Sequence, residues 1–126
     1  MAETDLAPAA AILVVDDDEE VRKVLRLMLE RASYTVIEAA NGKEALARAA
    51  DTRVSVVITD LVMPEQEGLE TIQVLRREQP GLKIIAMSGA FGGEFLKMAG
   101  LLGAHATLQK PLRLQVVLDT IQKVLG

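Results

Sequence analysis

Five short strand-like runs, each followed by a segment of helical periodicity, constrain this chain more than any other feature of it. The first, Ala11-Ile12-Leu13-Val14-Val15, is continuous rather than alternating and stops at Asp16, as expected of a strand buried on both faces. Further strands, two of them apolar in large part, are expected at Tyr34 to Ala39, Val54 to Thr59, Leu82 to Met87 and His105 to Gln109. Between them, apolar residues recur at helical spacing. Val21, Val24, Leu25 and Met28 follow the first run, an Ala-rich segment from Lys43 to Ala50 follows the second, and Leu69, Ile72 and Leu75 follow the third. A fourth helix is expected from about Glu94 to Leu102, and a last one presents Leu114, Val117, Ile121 and Val124. The breaks fit: Asn41-Gly42 is a turn, Pro80-Gly81 and Gly103 are helix stops, and Pro111 suits a helix start. Strand-helix pairs with doubly buried strands predict an α/β fold, a three-layer, doubly wound five-stranded parallel sheet with helices on both faces and right-handed crossovers.

A chain of 126 residues with a 50% apolar content is of the size and composition of one packed domain. We expect it to run over residues 11–126, with residues 1–10 a flexible lead-in. Tyr34, Phe91 and Phe95 are the only aromatic residues, so the core must be aliphatic and stacking on bases has almost no platform. A net charge of −4 argues against direct nucleic-acid binding, which needs clustered Lys and Arg. With no Cys there are no disulfides, thiolate metal sites or Cys nucleophiles, and a reducing cytoplasm is the expected location. The N-terminus lacks the basic start of a secretory signal, and no apolar run approaches the roughly 18 residues of a membrane span.

In an open parallel sheet, ligands bind beyond the carboxyl ends of the strands, where the strand order reverses. The expected strand ends here carry Asp16 and Asp17, then Asp60, Ser88 and Lys110. Each alone has a bland reading: Asp16 to Glu20 as helix capping and an acidic turn, Asp60 as a turn residue. Together they define a site. If the first and third strands are neighbours, three carboxylates share a small volume and repel one another, so a cation belongs among them. An oxygen-only cluster suits a hard divalent ion such as Mg²⁺.

The stretches ILVVDDDEEVR, VVITDLVMPEQEGLE, KIIAMSGA and LQKPL, in that order and spacing, resemble the receiver domain of two-component response regulators, the CheY-like superfamily. The resemblance covers about residues 11 to 126. It implies the flavodoxin-like strand order 2-1-3-4-5, with Asp60 as phosphoryl acceptor, followed by Met63-Pro64 and Gly68. It further implies Mg²⁺ bound by Asp17 directly, by Asp16 through water, by Asp60 and by the backbone carbonyl of Val62. Ser88 and Lys110 correspond to the hydroxyl and ammonium that bind the transferred group, and Lys110-Pro111 is expected to be cis. The implied partners are a histidine kinase or histidine phosphotransferase domain as donor and a downstream target or output domain. A homodimer through the face formed by the fourth helix, fifth strand and fifth helix stays open.

The chain also departs from the family pattern. Thr107 stands where an aromatic residue commonly couples the site to that face, so the Gly-rich loop from Gly89 to Gly93, with Phe91 and Phe95, is the expected reporter. Val62 and Ala90 are apolar where some members orient a hydrolytic water. Arg22, Lys23, Arg26 and Arg31, with Leu25 and Leu29 nearby, read either as a solvated helix face or as a donor-docking surface. His105 is expected in a loop or at the surface, and Met28, Met63, Met87 and Met98 in or near the core. Two rivals remain: an interaction module that is never phosphorylated, and an aspartyl-nucleophile phosphohydrolase. The latter usually has a second Asp two residues after the nucleophile, where this chain has Val62.

Overall fold

The computed structural model describes residues 10–61, 67–89 and 92–126, with the backbone alone at 67 and 92–96. Strands β1 (Ala11–Val15), β2 (Thr35–Ala39), β3 (Val56–Asp60), β4 (Lys83–Ser88) and β5 (Ala106–Gln109) alternate with helices α1 (Glu19–Arg31), α2 (Gly42–Asp51), α3 (Glu67–Glu78), α4 (Gly92–Leu102) and α5 (Leu114–Leu125). All four strand pairings are parallel, in the order β2-β1-β3-β4-β5, which is the expected doubly wound topology. The expected lead-in lies almost wholly outside the described residues. Among those described, no helix is long and apolar enough to cross a membrane.

Continuous apolar strands are used here because each face of the sheet is covered. Successive residues of a strand point to opposite faces. In β1, Ile12 and Val14 join Leu25, Leu29, Val117 and Ile121 of α1 and α5, whereas Leu13 and Val15 join Ala45, Ala49, Ile72, Leu75 and Ala99 of α2, α3 and α4. The sheet thus separates two aliphatic cores. Removal of a large side chain from either, as in Ile72 on one side or Met87 on the other, leaves a void in a layer with no solvent access.

Two elements are displaced from their expected bounds in a way that bears on the site. The third strand, expected over 54–59, runs from Val56 to Asp60, and the fourth, expected over 82–87, runs from Lys83 to Ser88. Asp60 and Ser88 are therefore the last residues of strands, held in the ladder. The methionines also divide. Met87 is fully buried, Met63 lies outside the described residues, and Met98, expected near the core, is 49% exposed. Because α4 is apolar around much of its circumference, periodicity did not mark which side packs; Ala99 does so, and Leu101 points out at 84% exposure.

His105 is an exposed residue, as expected, but has a structural role at the start of β5. Its Nδ1 accepts the Ile84 N–H at 3.0 Å, and its own N–H donates to the Ile84 carbonyl at 2.7 Å. Burial, followed by the nearby charges of Lys83 and Arg76, holds its pKa below the ordinary value. The folded chain therefore favours neutral imidazole. That contribution to stability is present above about pH 6.5 and is lost as the pH falls through the lower folded-state value. Urea unfolding at pH 7.5 and 5.5 should show a larger loss for wild type than for His105→Gln; equal losses would contradict this role.

Candidate functional site

Register brings the acidic residues together. β1 and β3 pair Ile12 with Val56 and Val14 with Ile58, so the next positions of the same face are Asp16 and Asp60. Both continue the face packed under α1 and α5, one residue pair beyond the last apolar contact. Lys110 extends β5 on the side of Leu108, which belongs to the same core. Side-chain parity thus aims two carboxylates and one ammonium at a common point.

The distances agree with this. Lys110 Nζ lies 3.0 Å from Asp16 Oδ2 and 3.5 Å from Asp60 Oδ1. Asp16 and Asp60 are buried, at 1% and 4% exposure, while Asp17 is exposed. Carboxylate oxygens of Asp16, Asp17 and Asp60 all lie within 4.8 Å of one another. Asp16 Oδ1 also accepts the Asp18 N–H at 2.9 Å, so both of its oxygens have partners within the chain. Burial acts to lower the pKa of Lys110, but the hydrogen bond to Asp16 and the charges of Asp60 and Asp16 outweigh it and hold the ammonium above its usual range. Lys110 is charged at neutral pH.

Local hydrogen bonds tie this corner together. Asp18 caps α1 by accepting the Glu20 N–H at 2.9 Å, so the acidic turn has both readings: Asp18 caps the helix, and Asp16 and Asp17 face the cluster. The Thr59 hydroxyl donates to the Asp60 carbonyl at 3.1 Å. The Lys110 N–H donates to the Ser88 carbonyl at 2.9 Å, tying the ends of β4 and β5 together, and the Lys110–Pro111 peptide is cis, as expected. Ser88 is fully buried at the end of β4, on the parity of Ile84 and Ala86. Val62 lies outside the described residues, as do Ala90 and Phe91 of the Gly89 to Gly93 loop.

A solvated face on α1 is not what forms around Arg22 and Arg26. Arg22 Nε donates to Glu38 Oε1 at 3.0 Å and its Nη1 to the Asp16 carbonyl at 2.7 Å; Arg26 Nε donates to Glu38 Oε2 at 2.6 Å. The Arg26 hydrogen bond, opposed by burial and reinforced by Arg22, keeps the Glu38 carboxyl below the ordinary carboxylate range. Leu25 and Leu29, read beside these charges as docking surface, are fully buried core. The apolar surface of α1 is instead Val24 and Leu27, 45% and 53% exposed. Glu38 was missed by sequence reasoning. The available signal was an acid at the end of an otherwise apolar strand, with arginines one helical turn apart on the preceding helix.

A doubly wound sheet with paired carboxylates and a lysine at its carboxyl edge defines a class of α/β acidic-site proteins. Within it, residues 12–122 match the model of the response regulator receiver domain. The chain belongs to that family, the receiver domains of two-component response regulators. It is 34% identical over 124 residues to the sensor kinase CckA of Brucella abortus, covering 97% of this chain and 13% of that protein. It is 35% identical over 115 residues to the alkaline phosphatase synthesis transcriptional regulatory protein PhoP of Bacillus subtilis, covering 90% of this chain and 48% of that one. Among solved structures, the chemotaxis response regulator CheY4 of Vibrio cholerae superposes with a TM-score of 0.84 at 32% identity, covering 92% of this chain and 98% of that chain. The chain therefore spans at most about half of these two curated relatives.

Proposed function

We propose that this chain is a phosphoacceptor: Asp60 takes a phosphoryl group from the phosphohistidine of a histidine kinase or histidine phosphotransferase domain, and the product biases the conformation of the chain. The observation that carries this reading is the convergence of Asp16, Asp17 and Asp60 on one side and Lys110 on the other at the carboxyl edge of the sheet. Residues 11–126 act as the receiver unit and residues 1–10 as a lead-in.

The chemistry follows from the residue types. An Asp60 carboxylate oxygen forms the new P–O bond as the P–N bond to the donor imidazole breaks, and the histidine nitrogen leaves with the electron pair. Such transfer asks for in-line placement and for positive charge around the equatorial oxygens. The donor set fits Mg²⁺, being made only of carboxylate oxygens that lie within 4.8 Å of one another. Asp17 and Asp60 would hold it directly, with the Val62 carbonyl, and Asp16 through water. When bound it supplies charge to the phosphoryl oxygens. Lys110 keeps its proton and exchanges part of its pairing with Asp16 and Asp60 for the phosphoryl group. Ser88 turns to hydrogen-bond the transferred group, moving the loop after β4. With Thr107 on β5, the readout uses that loop rather than an aromatic rotamer.

A docking place for the donor adjoins the site. Glu20, Val21, Val24, Lys110, Pro111 and Leu112 line a groove of about 310 Å³ that shares Lys110 with the site. A homodimer through the α4, β5 and α5 face and a separate output domain are further partners consistent with this reading. The rivals separate in one assay with a small acyl phosphate and Mg²⁺. A phosphoacceptor takes up one labile phosphoryl group per chain and then releases phosphate slowly. Steady multiple-turnover release would favour a phosphohydrolase, and no uptake would favour an interaction module.

A further inference from the structure

The main chain of Asp16 is held at its N–H by the end of β2 and at its carbonyl by Arg22 of α1. Its N–H donates to the Ala39 carbonyl at 3.2 Å, one step beyond the last registered pair, Val15 with Ala39. Its carbonyl accepts from Arg22 Nη1 at 2.7 Å, and the same guanidinium is fixed through Nε by Glu38, the residue before Ala39. Glu38 is in turn held by Arg26. The Arg22 side chain is only 15% exposed, so it lies between α1 and the sheet rather than in solvent. Arg22 supplies a donor to the Asp16 carbonyl, one residue past the end of β1, from the planar fork that only arginine provides.

We propose that Arg22 and Glu38 are positioning residues for the acidic cluster, with Glu38 orienting Arg22 so that it fixes the Asp16 peptide and hence the spacing of the carboxylates that hold the divalent cation. The inference rests on the Mg²⁺-dependent reading above and adds to it a support reaching from the edge strand β2 to the site. Arg22 acts through the Asp16 main chain, and Glu38 acts through Arg22. An isolated helix-to-sheet staple would contribute to stability alone. A positioning pair also sets cation affinity, because partners that orient metal ligands tune binding without contacting the metal.

The test compares Arg22→Lys and Glu38→Gln with Leu29→Val, which loosens the packing of α1 on the sheet without altering any bond to Asp16. Mg²⁺ dissociation constants come from calorimetry, stability from urea unfolding, and the Asp16 carbonyl environment from its ¹³C shift in Mg²⁺-free protein. Arg22→Lys and Glu38→Gln should weaken Mg²⁺ binding about tenfold and shift the Asp16 carbonyl signal. Leu29→Val should lose stability while keeping wild-type affinity. Unchanged affinity in Arg22→Lys and Glu38→Gln, or equal weakening in Leu29→Val, would overturn the proposal. Wild-type protein that binds no Mg²⁺ would instead overturn the underlying reading and this inference with it.

Discussion

Gly68→Ala should destabilise the chain by about 3 kcal/mol, at the upper end of what overpacking costs, and should impair the site at the same time. A Cβ at this position would sit 2.6 Å from the Leu61 Cα, 2.7 Å from the Asp60 carbonyl oxygen and 2.7 Å from the Leu61 carbonyl oxygen. All three are main-chain atoms, so no side-chain rotation relieves the overlap. Either α3 lifts away from β3, exposing Ile72 and Leu75, or the backbone at Asp60 and Leu61 moves and carries the Asp60 carboxylate with it. Glycine is needed here for close approach, since it is the absent Cβ that lets the first turn of α3 lie against the strand end. Gly100 supplies the contrast. Nothing lies within 4 Å of a Cβ built there, and it is within α4, so Gly100→Ala should stabilise by about 0.5–1 kcal/mol through helix propensity. Chemical denaturation of the two variants checks both signs, and a Gly68→Ala protein as stable as wild type would show that the close approach is not needed.

Lys110→Ala should cost about 3 kcal/mol in Mg²⁺-free buffer, the lower end for breaking a buried ion pair, because the ammonium is partly exposed. The ammonium reaches both Asp16 and Asp60, and those carboxylates are nearly inaccessible to water. Without it, three clustered carboxylates face one another with less compensation. The loss should shrink as Mg²⁺ is added, since a cation that binds only the folded form stabilises it by mass action. Wild type should gain less from the same Mg²⁺ addition, because Lys110 already occupies part of the role. Thermal or urea unfolding with and without Mg²⁺ measures both arms; a variant as stable as wild type, or one indifferent to Mg²⁺, would mean that the cluster is not electrostatically strained.

What was legible in the sequence was whatever local periodicity encodes. β1 and β3 stood out because an uninterrupted apolar run ends abruptly at an acid, a pattern that a doubly covered parallel strand requires. Asp60 and Asp16 were each visible as candidates, but their adjacency depends on the register Val14 to Ile58, which no one-dimensional pattern contains. Arg22 was misread for a related reason. A charge on a helix resembles a solvated charge until its partner is known, and Glu38 lies 16 residues away on an edge strand. Leu25 and Leu29 sit among those arginines in sequence yet turn inward, Leu25 as its place in the helical repeat predicts, whereas Val24, read in the same repeat, is exposed. Met98 failed in the opposite direction, since α4 offers more apolar surface than its single contact side can bury.

Phosphorylation of Asp60, as proposed, is read by intact-mass spectrometry of wild type and Asp60→Asn, incubated in parallel with a small acyl phosphate with and without Mg²⁺. Wild type should gain one phosphoryl adduct, formed only with Mg²⁺ and lost on standing, and Asp60→Asn none. An adduct that persists in Asp60→Asn, or wild type that never gains one, would contradict it.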